Sequence, residues 1–269
     1  MKFIFILFFI ISCSNKYTYS FKQDTTFIKR TRVPRLMHRS CLKYNVLNCK
    51  KAAILSLKDN LLENAFYYYN AGCNLDDGES CYLAGILESK KSKFESVRMY
   101  FSKACQYKSG AACLELAVDN LKERTPSRKK IKKLLTSSCD YKYFPGCQKL
   151  GEFYGKYGTE YDSMKYFLIG CKGGEPASCF NIGIKLLHQN KLSNANKYFN
   201  KACDMQHSIS CYNLSCNYSI KNDFENSMKF FSMALKLGFK DWNQIKFDSD
   251  LKYLKRFPSF NETLNQFKQ

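Results

Sequence analysis

The sequence is poor in proline, glycine and tryptophan, with 5, 13 and 1 of these residues in 269 positions. Acidic residues are also scarce, because 23 Asp and Glu stand against 43 Lys and Arg and give a formal charge of +20. The low proline and glycine content excludes a collagen-like or low-complexity chain. Hydrophobic residues at 45% and charged residues at 25% indicate instead a folded and mostly soluble protein.

Clustered metal ligands and redox motifs are missing as well. The three histidines, His38, His188 and His207, are isolated from one another, and no two cysteines have C-x-x-C spacing. The sequence therefore predicts no metal and no cofactor. Its basic charge is not accompanied by any nucleic-acid recognition motif, so we expect no nucleic-acid partner.

The first twelve residues have the pattern of a signal peptide. Lys2 is followed by nine uninterrupted apolar residues, 3–11, which are too few to span a bilayer. The tetrapeptide 10–13 resembles a bacterial lipobox, so Cys13 is predicted to be the lipid anchor of the mature chain. An ordinary cleaved signal peptide and a retained anchor are the alternatives, and all three predict an exported protein.

A basic segment follows the predicted anchor. Residues 13–32 are interpreted as a lipidated tether, and nine Lys and Arg occur from Lys16 to Lys50 against one acid, Asp24. Such a charge suits a surface of anionic lipids. A solvated linker without a binding role is the alternative interpretation.

Twelve cysteines form six pairs whose members are eight positions apart. The first members of successive pairs are separated by 32, 32, 34, 32 and 32 residues, and such a fixed period is typical of a solenoid. The spacing predicts six structural disulfides, each closing a short polar connection between two helices. The predicted bridges are Cys41–Cys49, Cys73–Cys81, Cys105–Cys113, Cys139–Cys147, Cys171–Cys179 and Cys203–Cys211.

The residues around each pair predict two helices, which we call B and A. Positions eight, five, four and one before the first cysteine are small or bulky in a fixed order, as in Ala195, Tyr198, Phe199 and Ala202, and they share one helical face. This is helix B. Helix A begins near the second cysteine, and its fourth position after that cysteine is always small, as in Gly183. We expect this small face to pack closely against a neighbouring helix.

The two ends of the array differ from its middle. Pro34 opens a half-unit before Cys41, and residues 33–237 form the predicted solenoid. Residues 238–269 are interpreted as a helical C-terminal cap, and Gly238 is predicted to end the helix before it. Its predicted core-covering residues are Trp242, Ile245, Phe247, Leu251, Leu254, Phe257 and Phe260.

Two irregularities interrupt the period. The two extra residues of the third interval fall before a helix B that we expect Thr125 to cap and Pro126 to open. Cys216 has no partner at the repeated spacing, so we predict that it is a buried free thiol.

The helix pair Ala195 to Leu214, with its A-x-x-Y-F-x-K-A-C run, resembles Sel1-like repeats, which are relatives of the tetratricopeptide repeat. With C-x7-C in each unit, the resemblance is to secreted cysteine-rich Sel1-like proteins of bacteria, typified by the Helicobacter cysteine-rich proteins. It covers about residues 33–237. It implies an all-α, right-handed α/α solenoid with one disulfide per repeat and a concave surface used for binding. The period near 32 is shorter than the unit of that family.

The resemblance leaves a scaffold and an enzyme as alternatives. Related proteins are labelled penicillin-binding or β-lactamase-like. S-x-x-K occurs here, for instance at Ser40–Lys43 and Ser127–Lys130, but S-D-N and K-T-G are absent. We therefore expect a non-catalytic scaffold that binds a protein, a peptide or a cell-wall fragment. Its groove residues are predicted among the early positions of helix A, with a core role as the alternative: Tyr82, Phe180, Asn181, Tyr212 and Asn213.

The expected location follows from the N-terminal segment and the cysteines. A monomer in the bacterial cell envelope, attached to the membrane by its anchor, is the main expectation. Cysteine-rich Sel1-like repeats also occur in a mitochondrial intermembrane-space assembly factor, and this is the third hypothesis. The uniformly apolar residues 3–11 disfavour it, because a transit peptide is amphipathic and rich in arginine.

Overall fold

The computed structural model describes residues 32–90 and 94–268. The predicted signal peptide, the anchor at Cys13 and most of the basic tether lie outside these residues. The described residues contain fifteen α-helices and two short 3-10 helices and no strand, so the all-α prediction is confirmed.

The helices alternate between B and A along the chain. We number them α1 (Arg35–Leu42), α2 (Val46–Lys58), α3 (Leu62–Cys73), α4 (Gly78–Ser89), α5 (Phe94–Gln106), α6 (Gly110–Leu121), α7 (Arg128–Asp140), α8 (Phe144–Tyr157), α9 (Glu160–Lys172), α10 (Pro176–His188), α11 (Leu192–Asp204), α12 (Ser208–Ile220), α13 (Phe224–Lys236), α14 (Trp242–Phe247) and α15 (Pro258–Lys268). Helices α1 to α12 form six B–A pairs, each with an odd-numbered B helix and the following A helix.

The six predicted disulfides are present, one in each B–A pair. Their Cα–Cα distances run from 4.4 to 4.9 Å. Every A helix starts three residues before the second cysteine, so each bridge ties the last turn of a B helix to the first turn of its A helix. In the chain-entropy model, a loop of this length stabilises the folded chain by about 2.5 kcal/mol.

The turn between the two cysteines repeats one backbone motif. Its third residue after the first cysteine has a positive φ, for instance Asp76 at 62° and Gly174 at 94°. The next amide donates back to the carbonyl of the residue before the cysteine, as from Asp77 to Gly72 at 3.3 Å. This Schellman arrangement satisfies the free carbonyls at the end of helix B. The Asp77 carboxylate then accepts from the Ser80 amide at 2.8 Å and caps helix A.

Small residues let neighbouring helices approach. A Cβ built on Gly183 would lie 2.5 Å from the Phe199 ring of the following B helix, and one on Gly85 would lie 2.7 Å from Phe101. The small fourth position of helix A therefore accepts the bulky residue four before the next first cysteine. This confirms the close approach that the sequence predicts.

Two local predictions are wrong. Helix α7 begins at Arg128, and Ser127 caps it with a side-chain oxygen that accepts from the Lys130 amide at 3.4 Å, so Thr125 and Pro126 stay in the preceding loop. Phe247 is 75% exposed instead of covering the core. It lies two positions after the buried Ile245, and residues two apart point to opposite sides of a helix.

Candidate functional site

A cavity of ligand size lies at the third B–A pair. It has a volume of about 620 Å³ and is enclosed by the end of α4, the first half of α5 and one side of α6. This volume falls within the usual range for ligand pockets. Its lining residues are Ser89, Phe94, Glu95, Val97, Arg98, Phe101, Glu115, Leu116, Val118, Asp119 and Lys122.

A second cavity of about 170 Å³ adjoins the first one at Val118. It lies between α6, α7 and α8, and Lys149, Glu152 and Lys156 on α8 line it at the positions that Glu115, Val118 and Lys122 occupy on α6. Because equivalent positions of successive A helices line both cavities, the two form one continuous surface. We call this surface the A-helix groove.

Charge is arranged unevenly along the groove. The first cavity carries three acids, Glu95, Glu115 and Asp119, and two bases, Arg98 and Lys122. Arg98 pairs with Glu123 at 2.6 Å, a hydrogen bond that lowers the pKa of the Glu123 carboxyl. An acidic wall therefore faces the cavity in a strongly basic protein.

The second cavity has the opposite balance, with two bases and one acid. Lys149 pairs with Glu152 at 2.8 Å, while Lys156 stands one turn further along α8. The Arg128 guanidinium lies over the Tyr157 ring at 4.5 Å and brings another positive charge to this end of the groove. The groove thus passes from an acidic section to a basic one.

The predicted groove residue Tyr212 is fully buried. Its ring stacks on Phe239 at 4.3 Å between centroids, and its hydroxyl donates to Asp248 at 2.7 Å. The prediction that Tyr212 lines an open groove is therefore wrong, and the alternative core role holds. The physical reason is that the position after the second cysteine faces the following unit of the array.

Tyr82 and Phe180 occupy the same position of helix A, and this explains why both are half-buried. The Tyr82 ring packs on Phe101 at 5.5 Å, and Phe180 packs between Phe199 at 5.9 Å and His207 at 5.1 Å. Part of each ring is exposed, so the contact of Tyr82 and Phe180 with a ligand stays a prediction.

The two predicted asparagines, Asn181 and Asn213, are also half-buried and lie one position later on α10 and α12. Neither of them, nor Tyr82 or Phe180, lines the two cavities. The groove residues that the sequence analysis missed carry a recognisable signal. Charged side chains at 115, 119 and 122 share one helical face, opposite the buried one.

Ser40 and Ser127, from the S-x-x-K matches named above, have structural hydrogen bonds in separate units. The Ser40 hydroxyl accepts from the Asn48 side-chain amide at 2.7 Å, next to the first disulfide. Ser127 caps α7, as described above. Among residues 32–90 and 94–268, no group of three or more His, Cys, Asp or Glu residues is placed to hold a metal ion.

Cys216 is a buried free thiol, as the sequence predicts. Its sulfur lies 3.6 Å from the Asp248 carboxylate that also accepts from Tyr212. Burial, and then the nearby Asp248 charge, raise the pKa of the Cys216 thiol above its ordinary value. The thiol is therefore held protonated at the contact between α12 and the C-terminal cap.

Comparison with known proteins identifies the type of fold. No family model and no curated protein matches the sequence. A Sel1 repeat protein from Oxalobacter formigenes superposes with a TM-score of 0.64 at 12% identity over 71% of this chain and 88% of that one. The fold is that of a Sel1-type solenoid. PilF of Pseudomonas aeruginosa also matches, with a TM-score of 0.53 at 9% identity over 82% of this chain and 98% of that one.

Two further properties of this Sel1-type solenoid concern its surroundings. Six disulfides indicate that the chain folds in an oxidising compartment, because cytosolic thiols are kept reduced. None of the helices in the described part of the chain is long and apolar enough to cross a membrane.

Proposed function

We propose that this protein is a non-catalytic scaffold of the bacterial cell envelope that binds an extended segment of a partner protein in the A-helix groove. The observation that carries the proposal is the pair of adjoining cavities, which equivalent positions of α6 and α8 line. A repeat array offers such a surface without any local rearrangement, since each unit is fixed to its neighbours.

The chemistry of the groove defines the segment that it binds. Phe94, Val97 and Phe101 provide apolar area in the first cavity, and Phe94 is 83% exposed and free to cover a ligand. A segment with apolar and basic side chains fits this section, because Glu115 and Asp119 face it. Acidic side chains fit the second section beside Lys149, and the change of charge sets the direction of the bound segment.

Location and attachment complete the proposal. The disulfides support an oxidising, exported location, and the lipobox-like residues 10–13 support attachment by a lipid at Cys13. The protein then acts as a monomer on a membrane, with a protein or peptide as its ligand.

The groove is tested with the oxidised, purified chain and an array of immobilised peptides with varied charge patterns. We expect binding of peptides whose basic and apolar residues precede or follow acidic ones, and a loss of at least about tenfold in affinity in Phe94→Ser and Asp119→Lys. Tyr161→Ser removes an equally exposed ring outside both cavities and is the matched control. The proposal fails if no peptide binds or if the control variant loses as much affinity as the groove variants.

A further inference from the structure

The first B–A pair leaves apolar side chains exposed, one of them at a position that the second and third pairs cover. Leu36 lies five positions before its cysteine, where the second and third pairs have Tyr68 and Tyr100. Tyr68 is 1% exposed and its hydroxyl is 3.0 Å from His38 of α1, the preceding B helix, whereas Leu36 is 79% exposed. Tyr100 similarly donates to Asn70 of the preceding pair at 2.7 Å. In the second and third pairs, this position therefore packs against the preceding B helix.

Helix A of the first pair also leaves an apolar side chain exposed, at a position where the second pair carries an exposed charge. Leu47 lies two positions before its cysteine, where the second pair has Glu79, and Glu79 accepts from Lys50 of the preceding A helix at 2.5 Å. Leu47 is 60% exposed, and Tyr44 in the turn beside it is 82% exposed. We call Leu36, Tyr44 and Leu47 the apolar part of the N-terminal face.

The charge around this face has one sign. From Arg32 to Lys58 the chain carries seven Lys and Arg and no Asp or Glu. Arg32 pairs with Asp59, and Lys50 pairs with residues of α4. Within the described part of the chain, Arg35, Arg39, Lys43 and Lys51 have no carboxylate partner. Protruding apolar side chains among unpaired bases are therefore concentrated at one end of the solenoid.

We infer that the N-terminal face docks on the surface of an anionic phospholipid bilayer. Exposed leucine and tyrosine side chains enter the region between headgroups and acyl chains, while lysine and arginine bind the phosphates. The side chains protrude and neither described cavity lies beside them, which suits a fluid lipid surface better than a preformed peptide. The complementary charge is negative, since no acid occurs in this pair.

This docking differs from the proposed lipid anchor and from peptide binding in the groove. It places α1 and α2 at the membrane and leaves α6 and α8, with the A-helix groove, further along the array. A chain that lacks the acyl group still has this face. The two proposals therefore fail independently of one another.

The test uses the exported full chain with Cys13→Ser, so that no acyl group forms, and measures partition onto vesicles. We expect binding to phosphatidylcholine vesicles that contain phosphatidylglycerol, and weak binding to pure phosphatidylcholine vesicles. Arg39→Gln with Lys43→Gln removes two bases and lowers the partition coefficient roughly 30-fold. Leu36→Ser with Tyr44→Ser lowers it at least about tenfold.

Matched variants elsewhere on the molecule test whether membrane binding is located at the N-terminal face. Lys129→Gln with Lys133→Gln removes two exposed bases from α7, and Tyr161→Ser removes an exposed ring from α9. Both leave the partition coefficient unchanged if the N-terminal face is the docking surface. The inference is overturned if the α7 variant loses as much binding as the α1 variant, if pure phosphatidylcholine binds equally well, or if only a protein partner protects Tyr44 from modification.

Discussion

The two ends of this solenoid solve the problem of an exposed stacking surface in opposite ways. At the C-terminal end, residues 239–268 fold over α12 and α13 and bury Leu251, Leu254 and Phe260. At the N-terminal end of the described residues, Leu36 remains exposed at a position that the second and third pairs cover, and Leu47 is exposed as well. Solenoids need a covered or polar end to remain soluble, so the apolar side chains exposed on the first described pair fit the docking surface proposed above.

The C-terminal cap imitates a further unit before it departs from the pattern. Phe239 stacks on Tyr212 at the position where His207 packs on Phe180 in the preceding pair. The chain then turns at Asp248, and the Ser219 hydroxyl accepts from the Leu254 amide at 3.3 Å. Specific hydrogen bonds thus replace a disulfide at this end.

The largest expected difference between the ends comes from truncating one apolar side chain in each. Phe260→Ala removes a ring that stacks on Phe231 at 4.7 Å, and we expect it to lower the free energy of unfolding by about 3–4 kcal/mol. Leu36→Ala should change it by less than about 0.5 kcal/mol. Urea unfolding followed by Trp242, the only tryptophan, measures both. Equal losses would contradict the comparison.

Removing one disulfide near each end tests how far a local loss of stability spreads along the solenoid. Cys203→Ser with Cys211→Ser should cost about 2.5 kcal/mol, and this loss should spread to α13 and the cap because that pair has packed neighbours on both sides. Cys41→Ser with Cys49→Ser should cost a similar amount but affect α1 and α2 alone. Amide hydrogen exchange resolved by segment distinguishes these patterns. Faster exchange throughout the array in both variants would refute the difference.

The contact between α12 and the cap should weaken when Asp248 is removed. Asp248→Ala leaves the buried Tyr212 hydroxyl without its acceptor, which should cost about 1–3 kcal/mol. Cys216 is a built-in reporter, because its buried, protonated thiol should react slowly with a thiol reagent in the native protein and faster in the variant. Asp250→Ala, which alters a neighbouring carboxyl, is the control. A native thiol that reacts as fast as in unfolded protein would argue against this arrangement.

The smallest effect concerns the ionic contact between the first and second pairs. Burial alone would raise the pKa of Asp77, but hydrogen bonds from Ser80 and Lys50 outweigh it and hold the pKa below its ordinary value. Because this pKa is lowered on folding, its contribution is complete above the unfolded value and disappears as pH falls through the folded value. Asp77→Asn, which keeps a capping side chain, should therefore cost no more than about 1 kcal/mol near neutral pH.

The contribution of Asp77 to stability should depend on pH. The stability gap between the parent chain and Asp77→Asn should narrow as pH falls from about 5 toward about 3. In a Lys50→Gln background the gap should be smaller at every pH, since the ion pair at 3.1 Å is lost. A gap that stays constant over this range would contradict the assigned role of Asp77.

Much of the fold could be predicted because the information is periodic and local. Cysteines eight apart at intervals near 32 fix the bridges, and the small residues Gly85 and Gly183 mark the close contacts between helices. The groove was harder to predict, because a residue's exposure depends on its neighbours from the next unit. Tyr82 and Tyr212 share one position in helix A, but only Tyr212 is closed over by the cap.

The sequence alone determined the helical array, its six disulfides and the unpaired Cys216, since these follow from spacing along the chain. Tertiary structure decided which faces stay open. The A-helix groove forms from two adjoining cavities, one between α4, α5 and α6 and the other between α6, α7 and α8. The N-terminal face is exposed, and no described helix packs before α1. Periodicity specifies how each unit contacts its neighbours, whereas exposure depends on whether a neighbour is present and on what the chain beyond the last unit covers.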